Sequence, residues 1–503
     1  MPPSQVNSQS GIHSSALIMI YCLCLYGEYI LYSAIALIYV YRVLIVDLSN
    51  FLRETEELIG RDNVIREGHE LSAFRRDWWA LLMLRETLGH GLNPPPAVIR
   101  PVDVNGVIDV VKLANKYGVC LVPYGGGSSV VGGAYHDGCV VIDMSRLNRI
   151  LEFSGEDLTL IVEAGARVID VEKWLNERGY TLDYHPQSFQ LLTIGGAIAH
   201  GGTGSHSMSN IDELVLALDV VLPSGELMTI GPGKFVRTSW PDLRGLFMGS
   251  DGMLGIIVRA MLRVRPLANY YVDLAYVFKN LEGAVRFARD LVINVPGPHR
   301  VVIHDVDSSR LMVGEDGVIA LIRVRWHNED LVNTVSGIIN NLAIDHSAVS
   351  VEPGLIRRWR DTFARGYESQ LIMLAQSGLW VDTIDMATTW SRLVRLHDEL
   401  VSRLKSIDGV YHVLSRITHL YLNGASLYSV VVFRQDEDVY WRVWKEAFNV
   451  ASGVGATISH HHGTGLLKRE FVKTEMGSQW NLLRIIKESL DRNNTMNRGK
   501  LVW

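Results

Sequence analysis

Three consecutive histidines, His460, His461 and His462, stand directly before Gly463, and upstream of them Tyr428 lies in the β-branched run Leu427–Phe433. An imidazole donates, accepts or carries a proton near neutrality, and a phenol beside it can do acid–base work once a cationic imidazole lowers its pKa. Extended as a strand, the triplet would send His460 and His462 to one face and His461 to the other. Three histidines also suit a metal, but no acidic cluster near them in sequence completes a coordination sphere, so no metal is expected. The plain alternatives are structural histidines and a core tyrosine.

A second set of residues could bind an anion. PYGGGSSVVGG, Pro123–Gly133, follows the strand-like Val119–Val122 and precedes Val140–Asp143. Gly125, Gly126, Gly127, Gly132 and Gly133 remove Cβ atoms, so backbone N–H groups can converge on a pyrophosphate. The run is neither a Walker loop nor a dinucleotide fingerprint opening a helix. Two more glycine-rich stretches follow, TIGGAIAHGGTGSH at Thr193–His206 and MGSDGMLGII at Met248–Ile257. The Thr193–His206 stretch is too rich in glycine for a packed helix and predicts close backbone approach to a ligand. Three such turns, each beside a strand, favour one extended ligand such as a dinucleotide.

The elements that must position these loops can be read from periodicity. Ala97–Arg100 reads as a strand, Val104–Tyr117 as an amphipathic helix, Thr159–Val162 and Ala166–Ile169 as strands, and Val171–Arg178 as a helix closed by Gly179. Leu216–Leu222 and Leu227–Ile230 form a hairpin across Pro-Ser-Gly-Glu, and Val258–Val264 is a strand. Beyond Pro266 come long helices, Leu281–Val292 and Trp390–Leu404, with strands Val318–Trp326 and Ser426–Phe433.

The chain has 503 residues, 48% of them hydrophobic and 20% charged, which implies two or three folded domains. A net charge of −6 argues against a general nucleic-acid binder, which needs a basic face. Cys22, Cys24, Cys120 and Cys139 show no disulfide framework, in keeping with a reducing compartment. Residues 1–48 are unlike the rest: apolar runs at Ala16–Tyr26 and Tyr29–Tyr41 fit a membrane anchor, an extension ahead of the true start of translation, or buried helices. The expected location is the cytoplasm, or a membrane surface facing it.

PYGGGSSVVGG, VEAGARVIDV, TIGGAIAHGGTGSH, VVLPSGE and GSDGMLGII, in that order, resemble the FAD-binding oxidases of the vanillyl-alcohol-oxidase type. The resemblance implies an α+β fold: a two-subdomain FAD-binding domain over residues 49–266, an α/β cap over 267–455, and a tail over 456–503 that returns to the flavin. It implies FAD contacts at Pro123, Gly125, Gly126, Gly127, Ser128, Ser129, Gly133, Pro186, Ser188, Thr193, Gly196, Gly204, Ser250, Gly252 and Ile257. Covalently flavinylated relatives carry a histidine at the position of Ser128, so noncovalent FAD is implied.

Within this superfamily the cap resembles that of the alkyldihydroxyacetonephosphate synthases. Arg416, Thr418, Tyr421, Gly424, Ala425 and Tyr428 match one motif of that family, and the triple histidine before Gly463 matches another. The resemblance implies that FAD takes part without net redox chemistry, as the acyl group of acyl-dihydroxyacetone phosphate is exchanged for a fatty alcohol. Tyr428, His460, His461 and His462 would be catalytic, Arg416 and Arg300 would bind substrate, and the partners would be a lipid substrate, a membrane surface and a second copy in a homodimer. One departure is that Val302 occupies the family's arginine position, leaving Arg300, two residues earlier on the same strand face, to substitute. The rival reading is an FAD-linked D-2-hydroxyacid (lactate or glycolate) dehydrogenase, whose usual His-x-Gly-Asp-Gly-Asn segment is absent here.

Overall fold

The computed structural model describes residues 48–204, 210–235, 238–297, 300–357 and 374–502. The expectations for the apolar N-terminal stretch fall on residues 1–47, outside that set. Among the described residues no helix is long and apolar enough to cross a membrane.

Parallel strands need a crossover, and the sequence supplies one. After strand β1 (Val64–Ile65) and helix α1 (Ala80–Thr87), strand β2 (Val98–Ile99) leads into helix α2 (Val104–Tyr117) and on to β3 (Leu121–Tyr124) and β4 (Val140–Asp143), in the spatial order β1-β2-β4-β3. Asp103 caps α2 by accepting from Gly106 N at 2.8 Å, and Gly118 ends it in the left-handed conformation at φ 65°. Because β3 and β4 pair in parallel with Leu121 opposite Val140, the preceding residues Cys120 and Cys139 lie side by side. They form a disulfide with Cα atoms 5.0 Å apart. This corrects the expectation of no disulfide: strand register joins the two cysteines, and their sequence spacing carries no signature of it.

The second sheet of this part runs β5-β6-β10-β8-β9, from β5 (Ile150–Ser154), β6 (Thr159–Glu163), β8 (Val215–Val221), β9 (Leu227–Ile230) and β10 (Ile256–Arg263). A two-stranded ribbon, β7 (Tyr180–Thr181) with β11 (Arg265–Pro266), lies beside it. Two local expectations are corrected. Ala166–Ile169 is no strand, because Arg167 is the extended N-cap of helix α3 (Val168–Asn176). The glycine-rich stretch after Thr193 does form a helix, α4 (Ile194–His200), whose N-cap Thr193 accepts from Gly196 N at 3.2 Å. Its glycines serve packing: a Cβ on Gly195 would come within 2.7 Å of the Ala164 side chain on the sheet.

The third sheet has seven strands: β12 (Tyr270–Phe278), β13 (Arg300–His304), β14 (Val318–Trp326), β15 (Val349–Val351), β16 (Leu379–Thr389), β17 (Val410–Tyr421) and β18 (Gly424–Arg434), in the order β15-β12-β14-β13-β17-β18-β16. Its pairs are antiparallel throughout, so period-two alternation separates two faces. Ile303, Ile417, Leu427 and Val431 join the largest core with residues of α5 (Leu281–Asn294), α6 (Glu329–Asp345), α7 (Trp390–Lys405) and α8 (Glu437–Val454). The alternate residues, among them Val302, Arg416 and Tyr428, face a cavity. Helix α1 precedes the glycine loop in sequence yet packs on this third sheet. Trp79 Nε1 donates to Tyr440 at 2.9 Å, Trp380 Nε1 donates to Ala80 O at 3.2 Å, and Arg85 pairs with Glu437.

After α8 the chain passes back to the first two sheets through α9 (Arg469–Met476) and α10 (Gln479–Leu490). A buried Lys487 secures the return: its ammonium donates to Asp491 at 2.5 Å and to the carbonyls of Met253 and Met496 at 2.8 Å each. Asp491 in turn accepts from the N–H groups of Thr495 and Met496. Removing one member of a buried ion pair leaves the other charge uncompensated, so Asp491→Ala is expected to lower unfolding stability in urea by about 3–5 kcal/mol. A loss under about 1 kcal/mol would show that this pair does not hold the tail.

Candidate functional site

Directly opposed residues of an antiparallel pair share a sheet face. Asp385 on β16 lies opposite Tyr428 on β18, and Tyr428 lies opposite Arg416 on β17. These three side chains therefore form one row across the cavity face. The Arg416 guanidinium sits 4.3 Å from the centre of the Tyr428 ring, and the Tyr428 hydroxyl is 3.5 Å from Gln187.

Asp385 is fully buried and organises the triple histidine. Its Oδ2 accepts the backbone N–H groups of His460, His461 and His462 at 2.9, 2.7 and 2.9 Å. Its Oδ1 pairs with the equally buried Lys468 ammonium and lies 3.2 Å from His462 Nδ1. Three N–H groups converging on one carboxylate force a bend, which corrects the expectation of a strand with alternating rings. His461 and His462 line the cavity with Tyr428, while His460 turns away to hydrogen-bond Tyr421 at 2.8 Å. The His461 ring stacks nearly parallel to that of Tyr428, with centres 5.7 Å apart and planes at 17°.

Burial governs the charges here. It holds His461 well below the ordinary imidazole value, lowers His462 despite the Asp385 carboxylate, and takes His460 to about 4 and His419 to about 3. Burial also raises Tyr428, against the opposing pull of Arg416. The expected cationic imidazole that lowers the phenol is thus corrected: His461, stacked on Tyr428, is neutral, and the cation beside the ring is Arg416. For Asp385, burial works upward, but His462 and Lys468 outweigh it and the carboxyl stays well below its ordinary range.

The cavity, about 950 Å³, continues from this wall to the glycine-rich loops. Pro123, Gly125, Gly126, Gly127, Ser128, Ser129, Gly133, Pro186, Ser188, Thr193, Gly196, Gly252 and Ile257 all border it. A Cβ on Gly125 would overlap Thr193, and one on Gly126 would overlap the Leu191 carbonyl, so these glycines let two loops close on each other as well as on a ligand. Three expected residues stand off the wall. Gly204 hydrogen-bonds to His419, Ser250 accepts from Gly252 N at 3.3 Å within its own turn, and His460 is as described above. Arg300 and Val302 both reach the wall, in line with Arg300 occupying the same strand face. The volume lies at the upper end of ordinary ligand pockets, about 300–1,000 Å³, and suits a dinucleotide lying across several loops. The residues present fit FAD.

Sequence reasoning missed several residues. Asp385 and Lys468 carry no local motif. Asp251, at φ 49°, accepts from Gly465 N at 2.9 Å, and Asn497 of the tail bonds its carbonyl, so it joins the third glycine loop to the histidine segment and the tail. His419 sits beside His460 and His461, one nitrogen of each lying within 4.8 Å of the others. His419 and His460 spend both ring nitrogens on Thr203, Thr418, Tyr421 and His461.

Two outcomes follow from this electrostatics. Asp385→Ala is expected to cost about 3–5 kcal/mol by stranding Lys468, while Asp385→Ala with Lys468→Met recovers much of that stability without restoring activity. Recovery of both would contradict the role of Asp385 in setting the histidine bend. A histidine with a folded pKa below its ordinary 6.5 binds its proton first in the unfolded chain, so its stabilising share is complete above 6.5 and drains toward about 4 for His460. The melting temperature will fall as pH drops through that window, less steeply in His460→Gln; identical slopes would refute a neutral buried His460.

Comparison with known proteins gives the same picture. A family model for the FAD binding domain matches residues 95–231, and one for the C-terminal domain of FAD linked oxidases matches residues 272–501. The alkyldihydroxyacetonephosphate synthase of Caenorhabditis elegans is 26% identical over 506 residues, covering 91% of this chain and 83% of the relative. The D-lactate dehydrogenase of Anaerostipes hadrus is 24% identical over 443 residues, covering 82% of this chain and 91% of the relative. A solved alkyldihydroxyacetonephosphate synthase superposes with a TM-score of 0.74 at 21% identity, covering 90% of this chain and 86% of that one. With a matching FAD-binding domain, a matching C-terminal domain and a shared fold, the chain is a flavoenzyme of the FAD-linked oxidase family, built on the vanillyl-alcohol-oxidase-type fold and related to the alkyldihydroxyacetonephosphate synthases.

Proposed function

We propose that this flavoenzyme is an ether-forming transferase, releasing the fatty acid of an acyl-dihydroxyacetone phosphate and joining a fatty alcohol in its place. The observation that carries the reading is Tyr428 on the cavity wall, with both Arg416 and the neutral His461 ring against its phenol. FAD, when bound, supplies covalent-carrier chemistry that lets the acid leave before the alcohol enters. Tyr428 first passes its phenolic proton to His461, then takes the C1 proton and later returns it, while Arg416 stabilises the phenolate and His461 and His462 hand protons on. Arg300 and Arg416 hold the substrate phosphate. FAD is held noncovalently, since Ser128 offers no imidazole to the flavin. Residues 49–266 form the flavin domain, 267–455 the cap and 456–503 the closing segment. A membrane supplies the long-chain substrates.

A second reading has one observation in its favour. Arg300, Arg323, Arg325 and Arg416 all border the cavity, and such a wall suits the carboxylate of a D-2-hydroxyacid as well as a phosphate. In that case a neutral His461 would take the hydroxyl proton.

Holoenzyme given palmitoyl-dihydroxyacetone phosphate and hexadecanol is expected to release palmitate and form the alkyl ether. Tyr428→Phe is expected to keep its flavin and lose about 10²–10⁴ of kcat. Absence of palmitate release removes the transferase reading, and full activity in the variant removes Tyr428 from it.

A further inference from the structure

Tyr421 and His460 do not line the cavity, yet both continue outward from the wall that Tyr428 and His461 form. The Tyr421 oxygen lies 2.8 Å from His460 Nε2, and His460 Nδ1 lies 2.8 Å from His461 Nδ1. Asn210 Nδ2 approaches the same Tyr421 oxygen at 3.5 Å, which leaves the phenolic hydrogen directed at His460. The His419 ring, fixed through Thr203 and Thr418, packs 5.0 Å from His460 and 5.2 Å from His461 and holds both rings in place. Tyr421 is partly exposed and ends β17 beside the hairpin turn, where Leu422 is 76% exposed.

We propose that Tyr421, His460 and His461 form a proton relay between the flavin cavity and the protein surface. Two facing Nδ1 atoms at hydrogen-bond distance share one proton, so exactly one ring donates at a time. In one state Tyr421 O–H donates to His460 Nε2, His460 Nδ1–H donates to His461 Nδ1, and His461 carries its own proton on Nε2. In the other every donor and acceptor is reversed. Passing from the first state to the second moves one proton inward: each imidazole gains a proton on one nitrogen and loses one from the other, the Tyr421 oxygen takes a replacement proton from solvent, and His461 Nε2 gives its proton to the group bound in the cavity. The reverse passage moves one outward, and no electron changes hands. Tyr421 and His460 are relay residues, acting through His461 and without touching substrate. The inference needs only a proton to be exchanged at the cavity wall, which both readings of the function require.

The decisive test compares holoenzyme with Tyr421→Phe, which removes one oxygen and keeps the ring. In nitrogen-15 histidine-labelled protein, a proton correlated with Nδ1 of both His460 and His461 is expected, and Tyr421→Phe is expected to shift the His460 and His461 nitrogens. The variant should retain its flavin spectrum and KM, lose kcat by about tenfold, show an altered solvent deuterium isotope effect and regain rate with added imidazole. No shared proton, or nitrogen shifts unmoved by the variant, would overturn the relay. So would a fall in kcat with no isotope change and no rescue by imidazole. The magnetic-resonance readout does not involve substrate, so failure of the transferase reading leaves it able to decide.

Discussion

One buried carboxylate sets the geometry on which the site depends. Asp385 spends its oxygens on three successive backbone N–H groups, the Lys468 ammonium and the His462 ring. A charge at zero exposure is tolerated only where it is paired and hydrogen-bonded, and here both conditions hold. The result is a bend at residues 460–462. It presents His461 and His462 to Tyr428 and sends His460 the other way.

That carboxylate also couples the layers of the molecule. It belongs to β16 at the edge of the seven-stranded sheet, whereas the segment it holds leads on to the tail that returns to the glycine loops. Asp251 does the complementary work from the other side, tying the third glycine loop to Gly465 and to Asn497. Between these two anchors the cavity has a wall of acid–base and cationic groups and a floor of glycine-rich loops. Low dielectric inside it keeps the imidazoles neutral, so they can pass protons without first losing one to solvent.

The residues that touch the cavity were legible in the sequence because their types are unusual in runs. Glycines before Ser128, the histidine triplet and the β-branched strand around Tyr428 each carry a local signal. So does Val104–Tyr117, whose helix ends fall where the Asp and Gly caps place them. What lies one layer behind was not legible. Asp385 and Lys468 are isolated polar residues in sequence, and only strand register and chain return bring them to the histidines. The Cys120–Cys139 bond is hidden for the same reason. Propensity also misjudged α4, because glycines that would weaken an isolated helix here permit its contact with Ala164.

The central claim is that the cavity serves group exchange without net oxidation, even though the chain is also similar in sequence to a D-lactate dehydrogenase. Anaerobic flavin absorbance of the holoenzyme mixed with D-lactate tests it most directly. The account predicts a spectrum unmoved by the hydroxyacid. Bleaching of the flavin by D-lactate would contradict it and establish a dehydrogenase.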